Sequence, residues 1–322
     1  MKRLRPDRKN QQTRDKHAET SLSIKDFIYP YFVCDTPELE KSIDGFDNMK
    51  VHSIDGLLKD MEDTAALGID RILLFGVIPH SHKDEIGSAG LREDSLIAKA
   101  IRKIKPAFPN ITVIADVCLC GYSSHGHCGI VKGSEVLNDA TLPYLAKMSS
   151  VFAGAGADIV APSSMMDGQV AAIRDELNKR GLAKTKILGY SAKYVSNLYS
   201  PFRNASSSSP SFGDRKTYQM DFRNRSEAME EIRADIEEGA DMVMVKPSLF
   251  YLDTIYQAKT EFPDIPLVAY QVSGEYMMLK EASKNGVFNE TEIFKEALIS
   301  VKRAGADMII SYYAKEACRW LR

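Results

Sequence analysis

Two lysines stand where hydrophobic runs of this chain end. MVMVKPSLF, residues 242–250, drives four apolar residues into Lys246 and then Pro247. KILGYSAKYVS, residues 186–196, sets Lys193 three residues past a short apolar run. An ordinary lysine titrates at about pH 10.4, and holding it neutral at pH 7 costs about 4 to 5 kcal/mol. Apolar walls or a neighbouring cation lower that cost by disfavouring the ammonium. A neutral amine attacks a ketone to give a Schiff base, whose iminium acidifies the adjacent carbon. Lysine enzymes make and break C–C bonds in this way. The bland alternative for each residue is a strand-end lysine that snorkels to water.

A second constellation lies in DVCLCGYSSHGHCG, residues 116–129, which holds Cys118, Cys120 and Cys128. Thiols at i and i+2, with a third eight residues on, can bend around one ion. Three thiolates favour zinc or another soft metal. With no fourth cysteine nearby, water or substrate would take the open position, as in a catalytic site. Buried thiols without a metal are the alternative. His125 and His127 are further candidate ligands, or caps of the loop. Asp116 precedes the thiols and is suited to orient a ligand or a substrate amine. The chain has five cysteines, and an odd number in a long chain argues against a disulfide framework. Cys34 and Cys318 read as packing thiols.

Regular elements must carry these groups to one place. A phrase recurs: GAGADIVAPS from Gly154, EGADMVMVKPS from Glu238 and RAGADMIISYY from Arg303, with a looser ALGIDRILLFG from Ala66. Each reads as the end of a helix, a glycine corner where positive φ is cheap, an Asp, and a buried parallel strand. Further strands are predicted at residues 28–33, 111–117, 186–190 and 265–270, which brings the count to eight. Helical patterns cover residues 55–67, 138–153, 168–179, 226–238, 252–260 and 290–303. Eight strands alternating with helices predict a (β/α)8 TIM barrel. The rival is a doubly wound open sheet, but no G-x-G-x-x-G opens a helix. Barrel enzymes work at the C-terminal ends of their strands. Asp116, Ser163, Lys193, Lys246, Ser273 and Tyr312 all follow strand runs, so one mouth would collect them.

Composition narrows the function. The chain has 322 residues, 44% of them hydrophobic, enough for one large core. Its net charge of -2 favours neither nucleic acid nor a membrane as partner. No apolar stretch is long enough for a membrane helix, which predicts a soluble, cytoplasmic protein. MKRLRPDRKNQQTRDK opens the chain with seven Lys or Arg and two Asp. It lacks the apolar run of a signal peptide. It is either a disordered tail or an arm wrapped on a partner subunit. Residues 196–225 form a long polar gap with four consecutive serines and Arg203, Arg215, Lys216 and Arg223. Such a connection is a lid for an anionic substrate, or it is disordered.

Taken together, these motifs resemble the porphobilinogen synthase (5-aminolevulinate dehydratase) family. The likeness rests on DVCLCGYSSHGHCG, APSSMMDG at 161–168, YSAKYVSNLYSPFR at 190–203, FGDRKTYQMD at 212–221, MVKPS at 244–248 and YQVSGEY at 270–276. It spans essentially the whole chain. The resemblance implies a TIM barrel over residues 26–322. It also implies an N-terminal arm over residues 1–25 and assembly as a homo-octamer of dimers. It implies condensation of two 5-aminolevulinate molecules into porphobilinogen with loss of two waters, an early step of haem and tetrapyrrole synthesis. Lys246 resembles the lysine that binds the first substrate, on the propionate side. Lys193 resembles the second Schiff-base lysine, on the acetate side. Ser273 and Tyr312 look like ligands for the propionate-side carboxylate. Arg203, Arg215 and Gln219 look like holders of the other carboxylate. Asp116 and Ser163 resemble contacts to the second substrate, and Tyr199 and Phe202 would cover the site. Cys118, Cys120 and Cys128 resemble the Zn2+ triad of the zinc-dependent branch. Glu231 resembles a carboxylate of an outer, activating Mg2+ site, although a helical surface glutamate explains it equally well. Ser164 departs from the pattern, standing where the family usually has aspartate.

Three rival functions follow from subsets of these residues. An aldolase-like barrel with a single lysine leaves Lys193 and the thiols idle. A zinc-binding scaffold predicts metal without a lysine adduct. A nucleic-acid binder needs a broad basic face, which the charge balance does not supply.

Overall fold

Eight parallel strands close a barrel in the structure, a computed structural model that describes residues 2–205 and 208–322. They are β1 Phe27–Cys34, β2 Arg71–Gly76, β3 Thr112–Val117, β4 Ile159–Pro162, β5 Lys186–Lys193, β6 Met242–Lys246, β7 Leu267–Gln271 and β8 Met308–Ser311. Each pairs in parallel with the next, and β8 pairs back onto β1. Strands covered on both faces need continuous apolar runs. FIYPYFVC and MVMVK are such runs, and every residue of both is buried. β5 runs three residues beyond the predicted Tyr190, so Lys193 is the last residue of its strand rather than a residue past it.

Helices wrap the barrel: α1 Ile54–Ala66, α2 Leu96–Ala107, α3 Asn138–Gly154, α4 Gln169–Lys179, α5 Ser226–Glu237, α6 Leu252–Glu261, α7 Ser273–Lys284, α8 Glu290–Arg303 and α9 Ala314–Trp320. Six match the predicted helical patterns closely. α2, α7 and α9 went unpredicted. α2 buries Leu96, Ile97, Ile101 and Ile104 along one face, a period that the sequence does carry. α7 starts two residues after β7 ends, with no loop to announce it.

The recurring Gly–Asp phrase has a mechanical explanation. Gly156, Gly239 and Gly305 adopt φ of 106°, 101° and 116°, which turns each helix end into the following strand. The next-but-one residue is the Asp. Asp158 accepts the Val113 N–H at 2.8 Å and pairs with Lys105 at 2.7 Å. Asp241 accepts the Ile187 N–H at 2.8 Å and pairs with Arg174 at 2.5 Å. Asp307 accepts the Leu267 N–H at 2.7 Å and pairs with Lys259 at 2.9 Å. Each carboxylate therefore ties the start of one strand to the start of its neighbour and to a helix cation. These clamps fix the barrel floor, leaving the opposite rim for chemistry.

At the N-terminus, Arg5–Arg8 forms a short 3-10 turn and Gln11–Lys16 a short helix, and neither buries a residue. No helix among the described residues is long and apolar enough to cross a membrane.

Candidate active site

The two lysines meet because a bulge absorbs one extra residue of β5. Met242 pairs with Leu188 and Val243 with Gly189, yet Val245 pairs with Ala192 and Lys246 with Lys193. Between those pairs β5 holds an extra residue, a bulge within 189–192. In a regular ladder through the same residues Lys246 would face Ala192, and Lys193 would point to the other side of the sheet. With the bulge, both lysines line a single cavity at the barrel mouth.

Both amines are almost fully covered, Lys193 at 5% and Lys246 at 6% exposure. Lys246 Nζ lies 4.2 Å from the Tyr270 ring centroid, 5.1 Å from Tyr190, and 5.3 Å from each of Tyr199 and Phe202. Lys193 Nζ stands over the same Tyr190 ring at 5.6 Å and donates to the Ser163 carbonyl. Burial lowers the Lys246 pKa to about 7, and the charge of Lys193 pushes the same way against the opposing pull of Asp116. Burial in turn raises the Asp116 carboxyl, opposed by the two lysines.

The thiols gather on the loop that leaves β3. Cys118, Cys120 and Cys128 are buried, with all three sulfurs within 4.8 Å of one another, a cluster able to hold a metal ion. Cys118 and Cys120 sulfurs are 3.1 Å apart. Thiol hydrogen bonds from Cys118, then Cys120, hold the Cys128 pKa well below its ordinary value. Arg215 lies beside the cluster. Burial works against its charge, but the negative charge of Cys128, then Cys120, outweighs this and raises its pKa. His125 and His127 serve the loop as caps. His127 Nδ1 lies 3.1 Å from the Tyr218 hydroxyl and its Nε2 3.0 Å from the Phe212 carbonyl. His125 Nε2 faces the Glu85 carbonyl at 3.0 Å. Cys34 and Cys318 are buried away from this group, as packing thiols are.

The described residues of the 196–225 stretch border the cavity. Tyr199, Phe202, Arg203, Ser208 and Arg215 all join the cavity wall. Tyr199 lies on a turn, Asn197–Tyr199, and Phe202 and Arg203 on a short helix, Ser200–Ala205. The segment is bonded to the barrel at several points. The Tyr199 hydroxyl donates to the Tyr194 carbonyl at 2.7 Å and to the Lys246 carbonyl at 3.2 Å. Met220 N–H donates to the Lys193 carbonyl at 3.1 Å. Arg215 donates to the Gly126 and Ser208 carbonyls at 2.9 and 2.6 Å. Burial, then the neighbouring Arg215, lowers the Arg203 pKa.

Ten of the predicted residues line the cavity together: Asp116, Cys118, Cys120, Ser163, Lys193, Tyr199, Phe202, Arg203, Arg215 and Lys246. Cys128 completes the thiol cluster behind the wall. Gln219 lines a different recess, together with Asp167 and Glu231. Ser273 and Tyr312 are buried outside the wall. The Ser273 hydroxyl accepts the Phe202 N–H at 3.1 Å and donates to the Leu198 carbonyl at 3.2 Å. The Tyr312 hydroxyl is 3.0 Å from that of Tyr270. Glu231 belongs to a separate pocket with Asp167, Asp235 and Glu238. Burial, then Asp167 and Asp235, raises its pKa to about 7. Ser164 is fully buried and its hydroxyl has no partner.

Sequence reasoning passed over Tyr190, the ring shared by both amines, and Glu275, a fully buried carboxylate beneath the Lys246 loop. Its only sequence trace is a lone acidic residue in YQVSGEY. Several buried polar atoms around the site lack any protein partner: Asp116 Oδ1, Arg203 Nε, Arg215 Nε and both amide atoms of Gln219. Native interiors seldom leave such groups unpaired unless a ligand or water takes them.

A closed (β/α)8 barrel whose mouth holds two buried amines and a buried thiol triad is the frame of a TIM-barrel lyase. Residues 1–320 match the Delta-aminolevulinic acid dehydratase family, and the chain belongs to it. It is 48% identical to the Delta-aminolevulinic acid dehydratase of Halalkalibacterium halodurans, covering 100% of this chain and 97% of that one. It is also 48% identical to the enzyme of that name from Archaeoglobus fulgidus, over 94% of this chain and 93% of that one. The crystal structure of delta-aminolevulinic acid dehydratase (porphobilinogen synthase) from Toxoplasma gondii, in complex with the reaction product porphobilinogen, superposes with a TM-score of 0.96. It shares 43% identity and covers 99% of this chain and 91% of that one.

Proposed function

We propose that this chain condenses two molecules of 5-aminolevulinate into porphobilinogen, with loss of two waters, in tetrapyrrole biosynthesis. The observation that carries the reading is the pairing of Lys193 with Lys246 at the end of adjacent strands in one cavity. One lysine serves one ketone, and two ketones must be joined. With its pKa near 7, Lys246 is substantially neutral at physiological pH. It captures the first substrate, on the propionate side, as an iminium. Lys193 captures the second, on the acetate side. Deprotonation beside one iminium gives the carbanion equivalent for the C–C bond, and amine attack on the other keto carbon forms the C–N bond. Asp116, whose carboxyl faces both lysines' charges, and Ser163 contact the second substrate.

Carboxylate binding follows from the unpaired donors. Arg203, Arg215 and Gln219 hold the acetate-side carboxylate, since guanidinium groups pair strongly with it. Ser273 and Tyr312 exchange their present partners for the propionate-side carboxylate. Residues 196–225 act as the lid, with Tyr199 and Phe202 excluding water from the amines. Cys118, Cys120 and Cys128 hold Zn2+, for which a buried all-sulfur triad is a fitting donor set. When bound, the ion supplies Lewis acidity toward the second substrate's amine. Glu231 and its carboxylate neighbours suit Mg2+, a hard cation that takes oxygen ligands. The exposed arm, residues 1–25, packs on a partner subunit in a homo-octamer of dimers, and the enzyme works in the cytoplasm. The test is incubation with 5-aminolevulinate and Zn2+, followed by colorimetric assay for the pyrrole. Product formation that needs both lysines supports the reading, and absence of product overturns it.

A further inference from the structure

Glu275 occupies the third position of α7 and is 0% exposed. Among the described residues no cation pairs with it. Its carboxylate instead collects donors from two separate strand ends. Oε1 accepts the N–H groups of Ser248 and Leu249 at 3.0 and 2.6 Å. Oε2 accepts the Ser248 hydroxyl at 3.2 Å and the Val272 N–H at 2.7 Å. Residues 248–249 begin two positions after Lys246, and Val272 immediately precedes Ser273. The carboxylate therefore joins the end of β6 to the end of β7.

The same corner receives the lid. Ser273 bonds to both Phe202 and Leu198, as described above. A Cβ on Gly274 would lie 2.7 Å from Leu198 Cα, so the lid backbone rests directly on the first turn of α7. Tyr199 reaches from the lid to the Lys246 carbonyl. Lys246, the lid and α7 thus form one connected unit, and Glu275 is the group bonded to its two fixed ends.

We infer that Glu275 is a positioning residue that sets Lys246 and the lid seat in one arrangement through four converging hydrogen bonds. This goes beyond the assignment of Lys246 as a Schiff-base lysine but rests on it. Burial pushes the Glu275 carboxyl up to about 7, opposed by the hydrogen bonds from Val272, Leu249 and Ser248. The site tolerates that burial because each oxygen is met by donors. Glutamine would set an amide N–H against the donors of one oxygen, releasing either the Ser248 and Leu249 N–H groups or the Val272 N–H. A shift of about 1 Å in a catalytic group costs on the order of 100-fold in rate.

The experiment uses the full chain with zinc, 5-aminolevulinate and borohydride, with adducts mapped by peptide mass spectrometry. Wild type, Glu275→Gln, Glu275→Asp and Ser248→Ala are compared for trapping rate at Lys246 and Lys193, kcat, KM and melting temperature. We expect Glu275→Gln to slow Lys246 trapping and kcat by about 100-fold, with KM within a few-fold and Lys193 trapping little changed. Glu275→Asp, which keeps the charge but is too short to span both ends, should recover only part of the rate. Ser248→Ala removes one donor and should slow Lys246 trapping several-fold. If Glu275→Gln fails to fold, Ser248→Ala decides the matter. Equal trapping of Lys246 in wild type and the folded variants overturns the inference, as does an equal loss at both lysines. Absence of any Lys246 adduct in wild type instead removes the Schiff-base assignment beneath it.

Discussion

The two ends of the barrel treat charge in opposite ways. At the floor, Asp158, Asp241 and Asp307 each hold a strand N–H and a helix cation at hydrogen-bonding distance. Among the described residues, none of these three carboxylates is left without a partner. At the mouth, Asp116, Arg203, Arg215 and Gln219 keep buried polar atoms with no protein partner. An amine near neutrality stands beside them. Stability is concentrated where polar groups are saturated, and chemistry where they are not. A barrel can hold an unsatisfied rim because its floor is clamped independently.

Substitutions at the two ends should therefore separate activity from stability. The largest effect is expected from Lys246→Ala at the mouth. Porphobilinogen formation should fall by about 10⁴-fold or more, while the melting temperature is kept or raised, because a poorly solvated amine is gone. Cys120→Ala should weaken Zn2+ binding by about 100-fold, the scale on which metal sites respond to lost partners, read by metal content after dialysis. Unchanged zinc stoichiometry would remove the thiol triad from the site. At the floor, Asp307→Ala leaves the Leu267 N–H and Lys259 without their carboxylate and should cost about 2 kcal/mol of unfolding free energy. Its kcat should stay near wild type under conditions where it is folded, and a matching loss of kcat would erase the contrast between the ends.

The smallest effect concerns pH. Lys246 must lose its proton to react, so its trapping rate should rise with pH through an apparent pKa of about 7 and fall as the ammonium forms below it. Lys193 helps to lower that value by like-charge repulsion. Lys193→Met should therefore move the limb upward by about one unit. A limb that moves downward, or stays fixed, would show that burial alone sets the Lys246 proton.

Much of this contrast was legible in the sequence, unevenly. The Gly–Asp phrase marked the floor, since glycine corners and apolar runs are local signals. Lys246 and the cysteines stood out because a cation or thiols beside apolar strands are unusual by type. Glu275 was not legible as a positioning group. Its partners at Ser248 and Leu249 lie 27 and 26 residues away, and only the closed barrel brings them near. Ser273 and Tyr312 were read as facing the mouth, yet their hydroxyls are turned to Leu198, Phe202 and Tyr270. Strand-end position gives proximity to the mouth without giving the direction of a hydroxyl. The end of β5 was misjudged because Ser191 and Lys193 break the apolar run, although the backbone ladder resumes past the bulge at Ala192 and Lys193.

That ladder also bears on how a site with twin nucleophiles can arise. Because the bulge absorbs the surplus residue between Gly189 and Ala192, the second amine stays on the inner face. Losing one of the two residues at 190–191 would give a regular ladder that still sets Lys193 opposite Lys246, whereas an added residue with no second bulge to absorb it would turn Lys193 to the outer face.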